Sequence, residues 1–314
     1  MQLIRGIHNF QGQGTSPCVL TIGNFDGVHL GHQRILARVK EKAQEHQWAS
    51  SVMLFEPQPL EWFRPEQAPA RIMSLRDKLI ALRGYGVERV FCARFNKSFQ
   101  TLSAGDFVKQ VLVDGLNVRH LVVGDDFRFG SGREGDFAYL QQAGRVYGFT
   151  VEDTPTCLHQ GERVSSTRIR EALAQGQLRE AEALLGHPYF ISGRVHHGDK
   201  IGRTLGSPTA NLVLRHAKVP INGVYAVTVT GAGLKDHAAV ASVGTRPTVG
   251  GKELRLEVHL LNFEGDLYGQ HLTVTMKHFL RPELKFDGLE ALEQAIHQDI
   301  QQATQWFSTK GLLS

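Results

Sequence analysis

The stretch Cys18-Val19-Leu20-Thr21-Ile22-Gly23-Asn24-Phe25-Asp26-Gly27-Val28-His29-Leu30-Gly31-His32 decides the architecture of the first half of this 314-residue chain. Residues 18–23 form an apolar run of strand length. Beyond His32 the apolar positions fall at helical spacing, with Ile35, Leu36, Val39 and Ala43 on one stripe. A strand that passes through glycines into an amphipathic helix is the first unit of an α/β sheet. Working outward, apolar runs predict strands at 51–55, 87–95, 118–123 and 150–156. Helical patterns lie between them, around 75–82, 104–113 and 137–147. The alternation predicts a parallel sheet with right-handed crossovers, whose ligands sit beyond the carboxyl ends of the strands.

The pattern changes at Gly186-His187-Pro188, which predicts a linker and a division into 1–185 and 186–314. A chain of this length is about two cores long. Short strands then follow one another at 190–195, 209–214, 224–229, 238–243, 254–261 and 272–277, with no helix between them. This predicts a small antiparallel barrel. Leu289, Leu292, Ile296, Ile300, Ala303 and Phe307 mark one closing amphipathic helix.

Lys and Arg number 35 against 31 Asp and Glu, a net charge of +4 with no block of like charges. Small anionic substrates such as nucleotides suit this mild, scattered excess as well as a nucleic acid would, so charge alone does not choose between them. Cys18, Cys92 and Cys157 lie far apart, so neither a disulfide framework nor a structural zinc is expected. The first ten residues lack the apolar core of a signal peptide and no run approaches 18 apolar residues, so no membrane partner and a cytoplasmic location are expected. Nothing in the sequence specifies an oligomeric state.

Chemistry concentrates in the Gly23–His32 turn. Glycines allow a sharp bend and a close approach to a ligand, and a helix start favours phosphate. His29 and His32, three apart, are expected to project from one face of that helix start toward one phosphate. Two surface histidines would give the same spacing, and a zinc site would need a third ligand. The full string resembles the Gly-x-Phe-Asp-Gly-x-His-x-Gly-His signature of HxGH nucleotidyltransferases. That resemblance implies a Rossmann-like domain whose turn, Gly23, Asn24, Phe25, Asp26 and Gly27, holds ATP, with His29 and His32 stabilising the reacting phosphates.

Phe55-Glu56-Pro57-Gln58-Pro59 and Gly124-Asp125-Asp126-Phe127-Arg128-Phe129-Gly130 close the second and fourth strands. Both are similar to motifs of the FMN adenylyltransferase module of bacterial FAD synthetases, which implies an FMN-binding role for Pro57, Asp126 and Phe127. Arg163-Val164-Ser165-Ser166-Thr167-Arg168-Ile169-Arg170 resembles the Ser-Ser-Thr-x-Ile-Arg motif of the same module. There Ser166 or Thr167 is expected to cap a helix, and Arg163, Arg168 and Arg170 can offset phosphate charge; the ATP site then includes Arg163, Ser166 and Thr167. Gly130-Ser131-Gly132-Arg133-Glu134-Gly135 fits GxGxxG, yet it does not turn directly from strand to helix, so it is read as a flexible loop.

The barrel half opens with Gly198-Asp199-Lys200-Ile201-Gly202-Arg203-Thr204-Leu205-Gly206-Ser207-Pro208-Thr209-Ala210-Asn211-Leu212. It is not Walker A: the glycine spacing is one residue short and Arg203 stands where the lysine belongs. On a strand Thr209 and Asn211 share a face, so both oxygens can point at one ion. The string resembles the Gly-rich, Pro-Thr-Ala-Asn signature of riboflavin kinases, with Ser207 in place of a larger residue. That implies a loop over ATP (Gly198, Gly202, Arg203, Gly206, Pro208) and a magnesium–phosphate role for Thr209 and Asn211.

In Leu254-Arg255-Leu256-Glu257-Val258-His259-Leu260 the alternation sets Arg255, Glu257 and His259 on one face. A solvated charged face explains it as well as a site does. The run from Glu257 to Leu267-Tyr268-Gly269 is similar to riboflavin kinases, which implies that Glu257 is the base and His259 a neighbour. Gly223-Val224-Tyr225-Ala226 and Gly244-Thr245-Arg246-Pro247 are read as barrel turns near the site, and Phe279-Leu280-Arg281 with Phe286 as a flavin-side loop.

Taken over the whole chain, the resemblance implies a bacterial bifunctional riboflavin kinase and FAD synthetase. Riboflavin, FMN, FAD, ATP, ADP and pyrophosphate are then its small-molecule partners and Mg2+ its cofactor. Another HxGH transferase with an accessory barrel is the alternative, and it would leave Pro208-Thr209-Ala210-Asn211 and Glu257 unexplained. A nucleic-acid-binding barrel would need clustered cations with stacking aromatics on its strands.

Overall fold

The computed structural model describes residues 1–10, 16–124, 126–197, 207–214, 218–248 and 251–311. The chain divides into two compact units, Met1–Pro69 with Leu75–Ser165, and Ala70–Ser74 with Ser166–Ser314.

The first unit is built on β1 (Gln2–Arg5), β2 (Cys18–Ile22), β3 (Ala49–Glu56), β4 (Arg89–Arg94), β5 (Val118–Gly124) and β6 (Thr150–Thr154). They form one sheet in the order β1-β4-β3-β2-β5-β6, and every pair in it is parallel. All five predicted strands are present; β1, four residues on the edge, is too short to announce itself by pattern. Helix α1 (Leu30–His46) buries Leu36, Val39 and Ala43, and Val39 and Ala43 pack with Val19 and Val122 of the sheet. The other sheet face carries a larger core that includes Leu20, Phe91, Leu121 and Leu140.

Helices α2 (Pro59–Phe63), α3 (Leu75–Gly84), α4 (Lys97–Gln100), α5 (Ala104–Asp106) and α6 (Phe137–Tyr147) follow in order. The predicted helix at 104–113 is continuous, but from Phe107 to Val113 it is a π-helix. The wider turn lets the adjacent pairs Phe107–Val108 and Val111–Leu112 all face the core. A two-stranded ribbon, β7 (Leu158–His159) with β8 (Glu162–Arg163), completes this unit.

The second unit contains α7 (Ser166–Ala174), α8 (Leu178–Leu185), the strands β9 (Phe190–His196), β10 (Ala210–Val213), β11 (Gly223–Gly231), β12 (Leu234–Thr248), β13 (Gly251–Leu260), β14 (His271–Arg281), and α9 (Leu289–Thr309). All six predicted strands close into a barrel in the order β10-β13-β12-β11-β14-β9. Alternation explains the wall. Ala210, Leu212, Leu256, Val258, Tyr225 and Ala241 are buried on one face, and Asn211, Glu257 and Ser242 lie on the other.

Helix α9 covers part of the outer face, where Ala303 and Phe307 pack with Val224, Ala226, Ala238 and Val240. Its predicted stripe is seated only toward the carboxyl end. Leu289 is 64% exposed, because the helix begins beyond the apolar patch it covers. Helix α8 packs on β14, and α7 and α8 group with the barrel although the sequence division at 185 places them with the first module. Between the two helices, Gly176 adopts φ +70° beside the Phe279 ring.

Candidate active site

In the first unit the order of the sheet reverses at β2. The chain runs outward through β3 and β4, and β5 then pairs on the opposite side of β2. Such a switch point opens a crevice at the carboxyl ends of the two strands. The turn from Gly23 leaves β2 there and the Gly124–Gly130 segment leaves β5 beside it. Pro57 follows the carboxyl end of β3, on the other flank of β2. Parallel pairing thus brings three motifs separated in sequence to one edge.

The turn is tightly wound. Phe25 (φ 47°), Gly27 (φ 83°) and Val28 (φ 43°) take left-handed backbone angles, and the two side chains are fully buried. Non-glycine residues in that region cost about 1–3 kcal/mol each and persist where the surroundings demand them. His29 is not on the helix, as the spacing suggested, but is the residue before its first turn. Its Nδ1 accepts the His32 backbone N–H at 3.4 Å. An accepting Nδ1 leaves the neutral ring's proton on Nε2. The two imidazoles stack with centroids 3.6 Å apart and planes 19° from parallel, and the Phe25 ring lies 4.8 Å from His32. A side chain at Gly31 would crowd the His29 ring at 3.1 Å, so a glycine there leaves the ring its place.

The His32 ring is held well below the ordinary imidazole value by burial, then by the neighbouring basic groups His29 and Lys78. Its Nδ1 is shielded from solvent and has no hydrogen-bond partner. Leaving such an atom unsatisfied costs about 1–3 kcal/mol, and a ligand oxygen or N–H at that point would remove the cost. Asp26 is also buried. Lys78, which the sequence reading did not single out, sits in α3 and is 1% exposed. Its ammonium donates to the Asn24 carbonyl at 2.6 Å. A lysine at one position of an amphipathic helix carries no local signal of burial.

Other predicted residues fall as follows. Asp126 and Arg163 form an exposed ion pair, Nη2 to Oδ2 2.8 Å. Phe127 stacks on Phe129 at 5.7 Å. Helix α7 starts at Ser166, so Ser166 and Thr167 lie within its first turn rather than cap it, and the cap position falls to Ser165. The GxGxxG loop is closed rather than loose: Phe129 and Gly135 exchange two backbone hydrogen bonds of 3.1 and 3.0 Å.

In the barrel, Asn211 pairs with Glu257, and Glu257 pairs in turn with Ser242 on its other side. The three polar side chains form a row on the outer wall. Arg255 Nη1 lies 3.9 Å from Glu257 Oε1. His259 donates Nδ1–H to the Pro208 carbonyl at 2.9 Å, tying the segment before β10 to β13. Asn211 Nδ2 donates weakly to the Thr209 carbonyl at 3.5 Å.

Residues 223–226 and 244–247 are strand rather than turn. They lie in β11 and in β12, and the pairing of β12 with β13 runs on to Thr248–Gly251. Arg281 grips Asp299 of α9 through Nε–Oδ1 and Nη2–Oδ2, both 2.8 Å, and Phe286 lies under its guanidinium at 5.4 Å. Gly198, Gly202, Arg203 and Gly206 lie outside the described residues.

The FAD synthetase family model matches residues 12–168 and the riboflavin kinase family model matches residues 185–307. The bifunctional riboflavin kinase/FMN adenylyltransferase of Escherichia coli (strain K12) is 51% identical over 98% of both chains. The chain belongs to this family.

The Pseudomonas fluorescens member is 53% identical over 96% of each chain. A solved structure named as a macrolide-efflux protein of Streptococcus pneumoniae is 30% identical, with a TM-score of 0.80 over 98% of this chain and all of that one. Among the described residues no helix is long and apolar enough to cross a membrane. The family's two domains accordingly fall on the two sites above: an FAD synthetase domain around the stacked histidines, and a riboflavin kinase domain around the barrel wall.

Proposed function

We propose that this chain phosphorylates riboflavin on the outer wall of the barrel and adenylylates the resulting FMN at the histidine turn, with ATP as the second substrate of both reactions. One observation carries the reading. A strand-to-helix turn with an unpartnered buried imidazole nitrogen and a separate barrel carboxylate occur in one chain, each inside its own family domain.

At the barrel, Glu257 takes the proton of the ribityl 5′-hydroxyl. The oxygen then bonds to the γ-phosphorus of ATP as its bond to the bridging oxygen breaks, and ADP leaves. Thr209 and Asn211 fit a Mg2+ ion that arrives with the nucleotide. They offer two neutral oxygens beside a carboxylate, and phosphate and water oxygens complete such a shell. When bound, that ion supplies charge neutralisation at the transferring phosphate. Pro208 and the glycine-rich segment before it cover ATP, and Arg281 with Phe286 borders the flavin.

At the turn, a phosphate oxygen of FMN bonds to the α-phosphorus of ATP, and pyrophosphate leaves with the bridging oxygen. A phosphate is already a competent nucleophile, so the residues position and stabilise charge. His29 and His32 face the reacting phosphates, and Gly23, Asn24, Phe25, Asp26, Gly27, Arg163, Ser166 and Thr167 hold ATP. Pro57, Asp126 and Phe127 hold FMN. The two activities divide at 185/186, and the enzyme works in the cytoplasm.

The test is to incubate the chain with riboflavin and Mg-ATP and separate the products. FMN should appear first and FAD after it, with pyrophosphate released in step with FAD. Riboflavin that stays unmodified would overturn the kinase assignment, and added FMN that stays FMN would overturn the transferase assignment.

A further inference from the structure

Lys78 is a buried cation that the two reactions as described do not use. It is 1% exposed in the middle of α3, and its ammonium reaches across 54 positions of sequence to the Asn24 carbonyl at 2.6 Å. Burying an ammonium costs several kcal/mol, whereas a core position can hold an apolar side chain at no such cost. Such a charge persists where it has a task. Its surroundings point to one. Asn24 lies within the turn whose backbone is forced left-handed at Phe25 and Val28. His29, just before α1, and His32 in its first turn stack face to face, with one His32 nitrogen buried and unpartnered. The other buried ionisable groups on these elements are Asp26 in the turn and Asp77 beside Lys78. Lys78, His29 and His32 thus set three basic groups around one short turn at the switch point of the sheet.

We propose that Lys78 is a positioning residue for nucleotidyl transfer: its ammonium clamps the Asn24 carbonyl, fixes the shape of the turn, and sets the electrostatic environment of the two stacked imidazoles. The inference rests on the assignment of this turn to adenylyl transfer. Burial chiefly, with His29 and then Lys78 adding to it, keeps the His32 ring uncharged, so it meets a phosphate as a directed hydrogen-bonding group and not as a mobile cation. Lys78 acts through Asn24 and His32, and the reacting atoms are touched by those residues.

The test uses the full chain carrying Lys78→Met, which keeps length and removes charge, and Lys78→Arg, which keeps charge. FAD formation from FMN should fall about 10²-fold in kcat in Lys78→Met, and Lys78→Arg should recover a large part of it. FMN formation from riboflavin should stay at the wild-type rate in both. The acid limb of the kcat–pH profile should move upward in Lys78→Met, because one of the basic neighbours that lower His32 is gone while burial still holds the ring low, and a merely structural lysine would leave the limb in place.

Titration of 15N-labelled histidines in the unsubstituted chain needs no variant to fold. His32 should remain neutral well below pH 6.5, and an ordinary titration there overturns the proposal. A folded Lys78→Met chain with wild-type kcat beside an inactive His32→Ala chain also overturns it and leaves the turn assignment standing. If His32→Ala is itself fully active, the turn assignment is what fails.

Discussion

Glu257 lies directly opposite Asn211 in the pairing of β13 with β10, so its carboxylate and the Asn211 amide leave the outer barrel wall side by side. Ser242 flanks Glu257 on the opposite strand. The carboxylate proposed as base and the amide proposed to bind the ion are therefore held on hydrogen-bonded strands, whose spacing the closed barrel fixes.

Glu257→Gln keeps the shape of that row and removes the proton acceptor. FMN formation should fall about 10²–10⁴-fold, with riboflavin binding retained and FMN-to-FAD conversion unchanged. Steady-state rates under saturating Mg-ATP check this. A wild-type rate with chemistry limiting would return Glu257 to the status of a wall residue.

His29→Ala and His32→Ala should act on the other reaction. Each removes a group proposed to face the phosphates, and FAD formation should drop about 10²–10³-fold. His29→Ala also deletes the side chain that caps α1, which costs about 1 kcal/mol of stability. The two variants should thus differ in urea midpoint while sharing the loss of FAD synthesis. Equal midpoints would show that the long 3.4 Å cap contributes nothing.

The same ring makes stability fall in acid. His32 is depressed when folded, so above pH 6.5 it is neutral in both states and contributes no pH dependence. As pH drops below 6.5 the unfolded chain binds a proton that the folded one refuses. Stability then declines by up to about 1.4 kcal/mol per pH unit until the folded value is reached. His120, lowered chiefly by burial, adds in the same direction. Urea unfolding at pH 7.5 and 5.5 should show the loss, and His32→Asn should reduce it; an unchanged difference in that variant would assign the effect to other groups.

Much of this was readable from residues. The turn and its helix, all six barrel strands and the closing helix follow from apolar period and glycine placement. Other features depend on partners far away in sequence. Lys78 looks like an ordinary helix-surface lysine until Asn24 folds over it. The Asn211–Glu257 pairing is set by closure of the whole barrel, which no single strand encodes. Residues 178–185 carry a clear helical stripe, with Ala181, Leu184 and Leu185 buried, but two turns of helix do not say that β14 is what α8 packs on.

That packing matters for cutting the chain. A fragment of 166–314 keeps α7 and α8 on the barrel, and one of 187–314 strips them from it. Both should make FMN and neither FAD, but the shorter should melt at a lower temperature because the surface around Phe279 is uncovered. Scanning calorimetry of the two fragments decides the point; identical melting would show that the helices add nothing to the barrel.

The alternating wall of the barrel separates two kinds of vulnerability along a single strand. On β13, Leu256, Val258 and Leu260 point into a filled interior, and Glu257 and His259 point away from it. The proposed chemistry falls to the rind of the barrel and not to its pith. Substitutions at even positions of that strand would cost abundance, and those at odd positions would cost turnover in a protein still present at full level. Selection can therefore retune the catalytic row without reopening the question of whether the chain folds.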